Sequence, residues 1–213
     1  MPPRDEQDYE ARRQQIMDAA LEVFAHKGFE RATNKDIARA AQIKSPGLIY
    51  HYFKDKADLL RHIVQQRAPA LQLLSHSEEL MEIPPREVLT MFAHSFVKGF
   101  NDKATVAGFK LLLGESLRKP IVADLFNKLG PLRAFSFFTR YLEHHMDLGN
   151  LRRVDPGAAA RCFIGPLVIF GLTREIFPQA DADTLSLQGM ADTHVEIFLR
   201  GMAPDPAPTP ESI

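Results

Sequence analysis

Residues 44–60 read KSPGLIYHYFKDKADLL, in which a proline–glycine pair stands two residues before three consecutive ring-bearing side chains, Tyr50, His51 and Tyr52. Ser45 is a favourable helix N-cap, and Pro46 suits the first helical position, where its fixed φ helps and its missing N–H is not needed. A short helix is therefore predicted from Pro46 to about Tyr52. Its rigid start gives the amino-terminal end of the helix a defined orientation.

The predicted helix has a buried side and an exposed side. Ile49 and Phe53 are four residues apart and share one face, which is expected to pack inside a helical bundle. Gly47, Tyr50 and His51 then face outward. Gly47 has no side chain to hold another backbone away, and the two rings carry polar tips that suit phosphate groups and base edges. This face is a candidate surface for docking on DNA.

Helices are also predicted on both sides of this segment. An amphipathic stripe starts at Gln14 and ends at Gly28, which suits a left-handed C-terminal cap. Thr33 and Asp36 form a capping box in which Asp replaces the usual Glu or Gln, and this box opens a short second helix. A fourth helix is predicted to begin near Lys56. The short turn between the second and third helices gives a helix-turn-helix layout.

The charge of the chain is unevenly distributed. The whole sequence has a net charge of −1, but the stretch from Lys27 to Lys56 contains seven basic and three acidic side chains. A basic module on an acidic body favours binding to a polyanion such as DNA. The third helix has few side chains that read bases, so Lys44 is expected to contact a guanine or a phosphate. The candidate DNA contacts are Thr33, Lys35, Gln42, Lys44, Ser45, Pro46, Gly47, Tyr50, His51 and Lys56.

Residues 12–60, RRQQIMDAALEVFAHKGFERATNKDIARAAQIKSPGLIYHYFKDKADLL, resemble the TetR family of transcriptional regulators. The resemblance rests on A-L-x-x-F, the Gly-Phe turn, the Thr cap, D-I-A, G-L-I-Y-x-Y-F and K-x-x-L-L. One departure is Gln42, which stands where the family usually has a glycine, in a turn that is one residue longer. The resemblance implies a regulator whose larger half binds a small effector and whose last two long helices form a dimer interface.

The remainder of the chain is expected to be helical, because proline and glycine breaks separate segments of helical period. Helices are predicted near 59–80, 86–101, 104–118, 121–147, 156–177 and 184–201, which gives an all-α fold of about nine or ten helices. The expected domains are a helix-turn-helix domain over 1–57, a ligand-binding and dimerisation domain over 58–203, and a disordered proline-rich tail over 204–213.

Apolar and aromatic side chains in the larger half supply candidates for two further surfaces. The candidate effector contacts are Phe96, Phe109, Leu113, Phe138, Tyr141, His145 and Phe170. The candidate dimer contacts are Phe163, Leu167, Phe170, Arg174, Met190, His194, Ile197 and Phe198. Cys162 is the single cysteine and is expected to be buried as a small apolar side chain.

Enzymatic interpretations are weaker. The run GESLR at 114–118 begins like a nucleophile elbow, but Arg118 stands where the second glycine belongs. The run EHHMD at 143–147 holds adjacent histidines that point about 100° apart on a helix, so no metal site is predicted. No catalytic residue and no cofactor are expected. The alternative to a regulator is a helical small-molecule carrier or enzyme with an incidental basic head.

We therefore expect a cytoplasmic, ligand-responsive transcriptional regulator, acting as a repressor. It is expected to bind a palindromic DNA operator as a homodimer and to be released by a small, largely apolar effector. The charged amino terminus and the lack of a long apolar run predict no membrane association.

Overall fold

The computed structural model of the protein describes residues 4–177 and 184–204, and every regular element in these two ranges is helical. The all-α class is confirmed. Three-residue 3-10 turns cover Pro46–Leu48, Leu74–His76 and Gly99–Asn101. The helices, in chain order, are α1 Arg4–Lys27, α2 Asn34–Ala40, α3 Ile49–Tyr52, α4 Lys56–Arg67, α5 Pro69–Leu73, α6 Ser77–Leu80, α7 Pro85–Lys98, α8 Lys103–Ser116, α9 Pro120–Leu129, α10 Pro131–Asp147, α11 Pro156–Glu175 and α12 Leu187–Gly201.

The chain forms two compact units. Unit 1 contains the described residues up to Pro69 together with Gly99–Pro131, and unit 2 contains Ala70–Lys98 and the described residues from Leu132 onward. Helices α8 and α9 therefore fold with the amino-terminal helices. The boundary between a DNA-binding domain over 1–57 and a ligand-binding and dimerisation domain over 58–203 stays a prediction. The predicted tail, apart from Pro204, lies outside the described residues.

Unit 1 is built around α1. This helix packs against α2, α4 and α8, and α9 packs against α4 and α8. Phe24, Ile37 and Phe53 are fully buried in its core, which also takes in Leu112 from α8 and Val122 from α9. Burying an apolar side chain of this size stabilises the folded state by about 1.5–3 kcal/mol. The helix-turn-helix segment therefore rests on a continuous apolar core.

Unit 2 has an aromatic core. Helix α7 packs along α12 and also contacts α11. The ring centroid of Phe138 lies 4.6 Å from that of Phe92 and 5.0 Å from that of Phe163, which in turn lies 5.2 Å from Phe198. Ring pairs at these separations attract each other through their quadrupoles as well as burying apolar area. The aromatic stripes of α7, α10, α11 and α12 thus meet within this unit.

Two predicted helices are wrong in extent because each contains a proline break. The helix predicted over 59–80 ends at Arg67, because Pro69 restricts the preceding residue, Ala68, which leaves the helical region at φ −111° and ψ 88°. The helix predicted over 121–147 is divided at Gly130, where the backbone also departs from helical geometry before Pro131. The first helix begins at Arg4, well before the predicted start at Gln14.

Helix α11 is long and apolar enough to cross a membrane by length and composition alone. A core helix of a soluble protein meets the same criterion, and this helix buries Ala160, Phe163 and Leu167 fully within unit 2. Its apolar character is therefore weak evidence for a membrane span.

Candidate nucleic-acid interface

The third helix begins as its sequence predicts. The hydroxyl of Ser45 accepts a hydrogen bond from the backbone N–H of Gly47 at 3.2 Å, and Pro46 occupies the first helical position. The first turn, Pro46–Leu48, is a 3-10 turn, and α3 continues from it to Tyr52. The predicted helix from Pro46 to Tyr52 is therefore one continuous helical segment whose first turn is capped.

One face of this segment is buried and the other is exposed, as predicted. Ile49 and Phe53 are 2% and 1% exposed, whereas Tyr50 is 62% exposed. Gly47 and His51 are also exposed. The surroundings of Gly47 are open, because a Cβ added there would meet only the Ser45 hydroxyl, at 3.4 Å. No neighbour among the described residues therefore requires a glycine at this exposed position.

The turn before the third helix is a Schellman motif. The N–H of Ile43 donates to the carbonyl of Ala38 at 3.0 Å, and the N–H of Gln42 donates to that of Arg39 at 3.2 Å. Between them Gln42 adopts φ 51°, in the left-handed region that favours glycine. This backbone geometry explains why the family usually has a glycine at the position that Gln42 occupies here.

The second helix opens with the predicted capping box. The backbone N–H of Asp36 donates to the Thr33 hydroxyl at 3.2 Å, and the Asp36 carboxylate accepts from the Thr33 backbone at 3.1 Å. The Lys27 ammonium also lies 2.6 Å from this carboxylate. The hydrogen bonds from Lys27 and Thr33 lower the pKa of Asp36 below its ordinary value. This box orients α2, on which Lys35 is exposed.

Most of the predicted DNA contacts are on the surface. The exposed members are Thr33, Lys35, Gln42, Lys44, Ser45, Pro46, Gly47, Tyr50 and His51. They belong to the start of α2, the turn, and the outer face of the third helix. The structure therefore gives one small module an exposed edge with cations, hydroxyls and two rings.

Lys56 differs from the other candidates. Its ammonium donates to the backbone carbonyls of Glu30 at 2.9 Å and Ala32 at 3.0 Å, and it lies 4.8 Å from the ring centroid of Phe29. Burial lowers the pKa of this group. The ammonium ties the start of α4 to the turn between α1 and α2. These contacts give Lys56 a structural role, and its contact with phosphate stays a prediction.

The candidate effector residues are divided between the two units. Phe138 and Tyr141 are fully buried, and Phe170 is buried in the same core of unit 2. The Tyr141 hydroxyl donates to the carbonyl of Ile83 at 2.6 Å, and burial raises the pKa of this phenol. Phe96 in unit 2 keeps part of its surface exposed. The three buried rings therefore serve the core of unit 2.

His145 is also a core residue. It is 2% exposed, and its Nδ1 lies 3.0 Å from the Asn150 amide nitrogen. Burial, followed by the neighbouring His144, lowers its pKa.

The remaining effector candidates lie on α8 in unit 1, where Phe109 and Leu113 are partly buried. Among the surface grooves are two of about 380 Å³, and neither of these two is lined by any candidate effector residue.

The predicted dimer contacts are mostly interior. Phe163 and Leu167 are fully buried, and Phe170 and Phe198 are nearly so. His194 is buried as well, with its Nε2 2.7 Å from the Phe163 carbonyl. These five side chains pack inside unit 2 and therefore cannot supply its outer surface, whereas Arg174 and Met190 are half-buried.

The exposed side chains of the same two helices are mostly absent from the predicted dimer contacts. Ile197 is the one predicted member that is well exposed, at 65%, and Ile169 on α11 is 58% exposed. Cys162, which was expected to be buried, is exposed on α11, as is Pro166. The spacing of Cys162, Pro166 and Ile169 follows a helical period, but the buried Phe163, Leu167 and Phe170 follow the same period, so spacing alone does not distinguish the two faces.

The capped helix pair and the exposed third-helix face define a helix-turn-helix module. A family model described as "Bacterial regulatory proteins, tetR family" matches residues 16–63. A second model, described as "AefR-like transcriptional repressor, C-terminal domain", matches residues 87–203, more than half of the chain. The chain belongs to the TetR family of bacterial transcriptional regulators.

Sequence relatives match only part of the chain. The regulator LuxR of Vibrio harveyi is 44% identical over 59 residues, 26% of this chain and 28% of LuxR. HbdR of Aromatoleum sp. (strain CIB) is 49% identical over 51 residues, 24% of this chain and 22% of HbdR. BetI of Agrobacterium fabrum is 32% identical over 108 residues, 50% of this chain and 52% of BetI. The chain thus spans about a quarter to a half of these relatives.

Solved structures match over nearly the whole chain. FadR from Bacillus subtilis, in complex with stearoyl-CoA, has a TM-score of 0.66 at 20% identity, covering 89% of this chain and 98% of FadR. A SmeT–triclosan complex has a TM-score of 0.67 at 24% identity, covering 94% of this chain and 100% of SmeT. At these identities the likeness establishes the fold alone.

Proposed function

We propose that this protein is a cytoplasmic repressor that binds a palindromic operator as a homodimer and leaves it when a small, largely apolar effector binds. The observation that carries this proposal is the exposed face around Gly47. A capped helix start without a side chain at that position leaves room for a DNA backbone to approach closely. The function of a carrier or an enzyme would not depend on an exposed helix start with a glycine at this position.

The proposed contacts follow from exposure and chemistry. Lys44 is exposed at the end of the turn and is assigned to a guanine or a phosphate. Tyr50 offers a hydroxyl for a phosphate and a ring edge for a thymine methyl group. Thr33 and Lys35, at the start of α2, are assigned to the backbone of the duplex. Lys56 is left out of this set because its ammonium is bonded internally.

The proposed dimer uses the exposed face of α11 and α12. Ile169 and Ile197 expose large apolar surfaces there, and Cys162 and Pro166 extend the face along α11. A two-fold contact would remove this apolar area from water. Two helix-turn-helix modules that lie in successive major grooves would contact half-sites about 34–36 Å apart. Because Cys162 is the chain's one cysteine, a thiol-specific crosslinker tests this face in the unmodified protein.

The proposed effector acts through α8. Phe109 and Leu113 on this helix are partly buried and stay proposed contacts, and Phe96 on α7 stays a separate candidate. The ligands of the related structures, stearoyl-CoA and triclosan, support a largely apolar effector. Such an effector changes DNA affinity only through its different affinity for the two conformations of the protein.

Helix α8 has a direct connection to the DNA-binding helices. The Asp102 carboxylate caps α8 and lies 3.3 Å from the guanidinium of Arg67, at the end of α4. The Thr105 hydroxyl donates to the Arg67 carbonyl at 2.9 Å, and the same guanidinium pairs with Asp18 of α1. We assign the transmission of effector binding to this cluster, because it joins α8 to both α1 and α4.

The test is selection of bound duplexes from a random pool. The proposal predicts enrichment of a two-fold symmetric site and a steep fall of affinity with salt, because the contacts to phosphate release counterions. Recovery of a symmetric site with two half-sites supports it. Weak binding with no enriched sequence would favour the carrier or enzyme interpretation instead.

A further inference from the structure

The first turns of α1 lie against the helix-turn-helix segment. Helix α1 begins at Arg4, whereas the segment matched by the TetR family model begins at residue 16. The extension therefore lies outside the matched segment. Its side chains nevertheless contact the end of the third helix, which raises the question of what the extension contributes to DNA binding.

Three rings connect the extension to the third helix. The ring centroid of Tyr9 lies 4.7 Å from that of Tyr52 and 6.1 Å from that of His51, and the latter two lie 5.2 Å apart. We call Tyr9, His51 and Tyr52 the ring cluster. Aromatic pairs at these separations attract one another beyond their burial of area. The ring cluster therefore fixes the carboxyl-terminal end of α3 to α1.

Two further contacts come from the same part of α1. The guanidinium of Arg13 lies 5.5 Å from the ring centroid of Phe53, the residue that follows α3. Gln15 Nε2 donates to the carbonyl of Ala41 at 2.7 Å, just before the turn. Helix α1 thus holds the segment at the end of α2 and again at the end of α3. The recognition face lies between these two attachments.

We infer that Tyr9 is a positioning residue for DNA recognition. Helix α3 has four residues, too few to be stable alone, so its orientation depends on neighbouring contacts. Tyr9 holds the end of this helix so that Gly47 and Tyr50 present one fixed face before DNA arrives. A face fixed in advance loses less conformational freedom on binding and therefore binds more tightly. This inference rests on the proposed function.

Hydrogen exchange in the full chain tests the structural part of the inference. The variants are Tyr9→Ala, which removes the ring, Tyr9→Phe, which keeps it, and Gln7→Ala, an exposed control on the same extension. NMR-detected exchange at the amides of residues 49–53 should accelerate in Tyr9→Ala alone. Unchanged exchange at these amides, or equal acceleration throughout unit 1, would overturn the inference.

Titration of the selected operator tests the functional part. Tyr9→Ala removes the ring pairs with Tyr52 and His51 and should weaken binding by roughly threefold to tenfold, the range that corresponds to the attraction in an aromatic pair. Tyr9→Phe and Gln7→Ala should bind like the wild type. Wild-type affinity in Tyr9→Ala would overturn the inference even if exchange is faster. Failure of the wild type to bind any duplex would instead refute the proposed function, and the exchange result would still decide whether Tyr9 holds α3.

Discussion

Gln15 and Ala41 connect the first helix to the end of the second, because Gln15 Nε2 donates a hydrogen bond to the Ala41 carbonyl at 2.7 Å. This carbonyl belongs to the C-cap of α2, immediately before Gln42. The bond fixes the position from which the chain turns toward the third helix. The geometry of that turn then depends on the left-handed backbone of Gln42.

Gln42→Gly should stabilise the protein. A side chain in the left-handed region costs about 1–2 kcal/mol, and glycine avoids most of this cost while losing more chain entropy on folding. We expect the free energy of unfolding in urea to rise by about 1 kcal/mol. Gln42→Ala is the matched control and should change it little, because alanine keeps a Cβ. Destabilisation by glycine would show that the turn is unstrained.

Asp36→Asn should remove part of the stability near neutral pH. The folded-state pKa of Asp36 is lowered from 3.8, so the unfolded chain takes up this proton more readily. The stabilisation of the folded state by the ionised Asp36 carboxylate is therefore complete above about pH 4 and is lost as the pH falls through the folded-state pKa. The Tm difference between the wild type and the variant should shrink on acidification.

Asp124→Asn is the control for this experiment. Asp124 pairs with Lys128 at 2.7 Å, but both side chains are more than 60% exposed. Such a surface pair contributes about 0–1 kcal/mol. Its Tm effect should be small at neutral pH. A pH-independent loss in Asp36→Asn would contradict the assigned role of the carboxylate charge.

Mild acid should destabilise unit 2 through its buried histidines. Burial lowers the pKa of His194 from its ordinary 6.5, with the hydrogen bond to Phe163 opposing this shift, and the pKa of His145 moves in the same direction. The unfolded chain then binds protons that the folded chain does not. Stability is therefore greatest above pH 6.5 and falls as the pH drops below that value.

His194→Gln should flatten this dependence, because its amide can keep the bond to the Phe163 carbonyl without becoming charged. The measurement is Tm between pH 7.5 and 5. His26→Gln, at an exposed position in unit 1, should leave the slope as it is in the wild type. An unaltered slope in His194→Gln would show that this histidine stays neutral in both states.

Ile169→Asp and Ile197→Asp should each give a folded monomer. Both side chains are more than half exposed in the single chain, so the charge costs little there but would be buried in the proposed dimer. Sedimentation velocity measures the change. Leu148→Asp is the control, since Leu148 is 57% exposed in the loop after α10 and belongs to neither α11 nor α12. A dimer in both isoleucine variants would place the interface elsewhere.

Local signals in the sequence predicted the DNA-binding module well. The Thr33 capping box, the Ser45 cap and the burial of Ile49 and Phe53 each depend on neighbours within a few residues. Such short-range patterns are visible in a single sequence. The Gly130–Pro131 pair is a local helix-breaking signal of the same kind. The prediction of one helix over 121–147 gave this signal too little weight.

The remaining errors concern contacts between distant residues. Helix α11 is apolar around much of its circumference, so its period could not separate the buried Phe163 from the exposed Ile169. Lys56 has a long, flexible side chain, and charge alone could not show that it reaches the carbonyls of Glu30 and Ala32. The contact of Tyr9 with the third helix likewise depends on packing. Only the folded structure supplies these relationships.

The most direct test of DNA recognition compares Gly47→Ala with Gly114→Ala. Within the described ranges 4–177 and 184–204, an added Cβ at Gly47 meets only the Ser45 hydroxyl, and one at Gly114 meets nothing within 4 Å. Both variants should therefore fold with at least wild-type Tm. A methyl group pressed against DNA costs about 1–3 kcal/mol, so Gly47→Ala should bind the selected operator roughly tenfold or more weakly, and Gly114→Ala should bind normally. Equal operator affinity in the two variants and the wild type would contradict docking through this face.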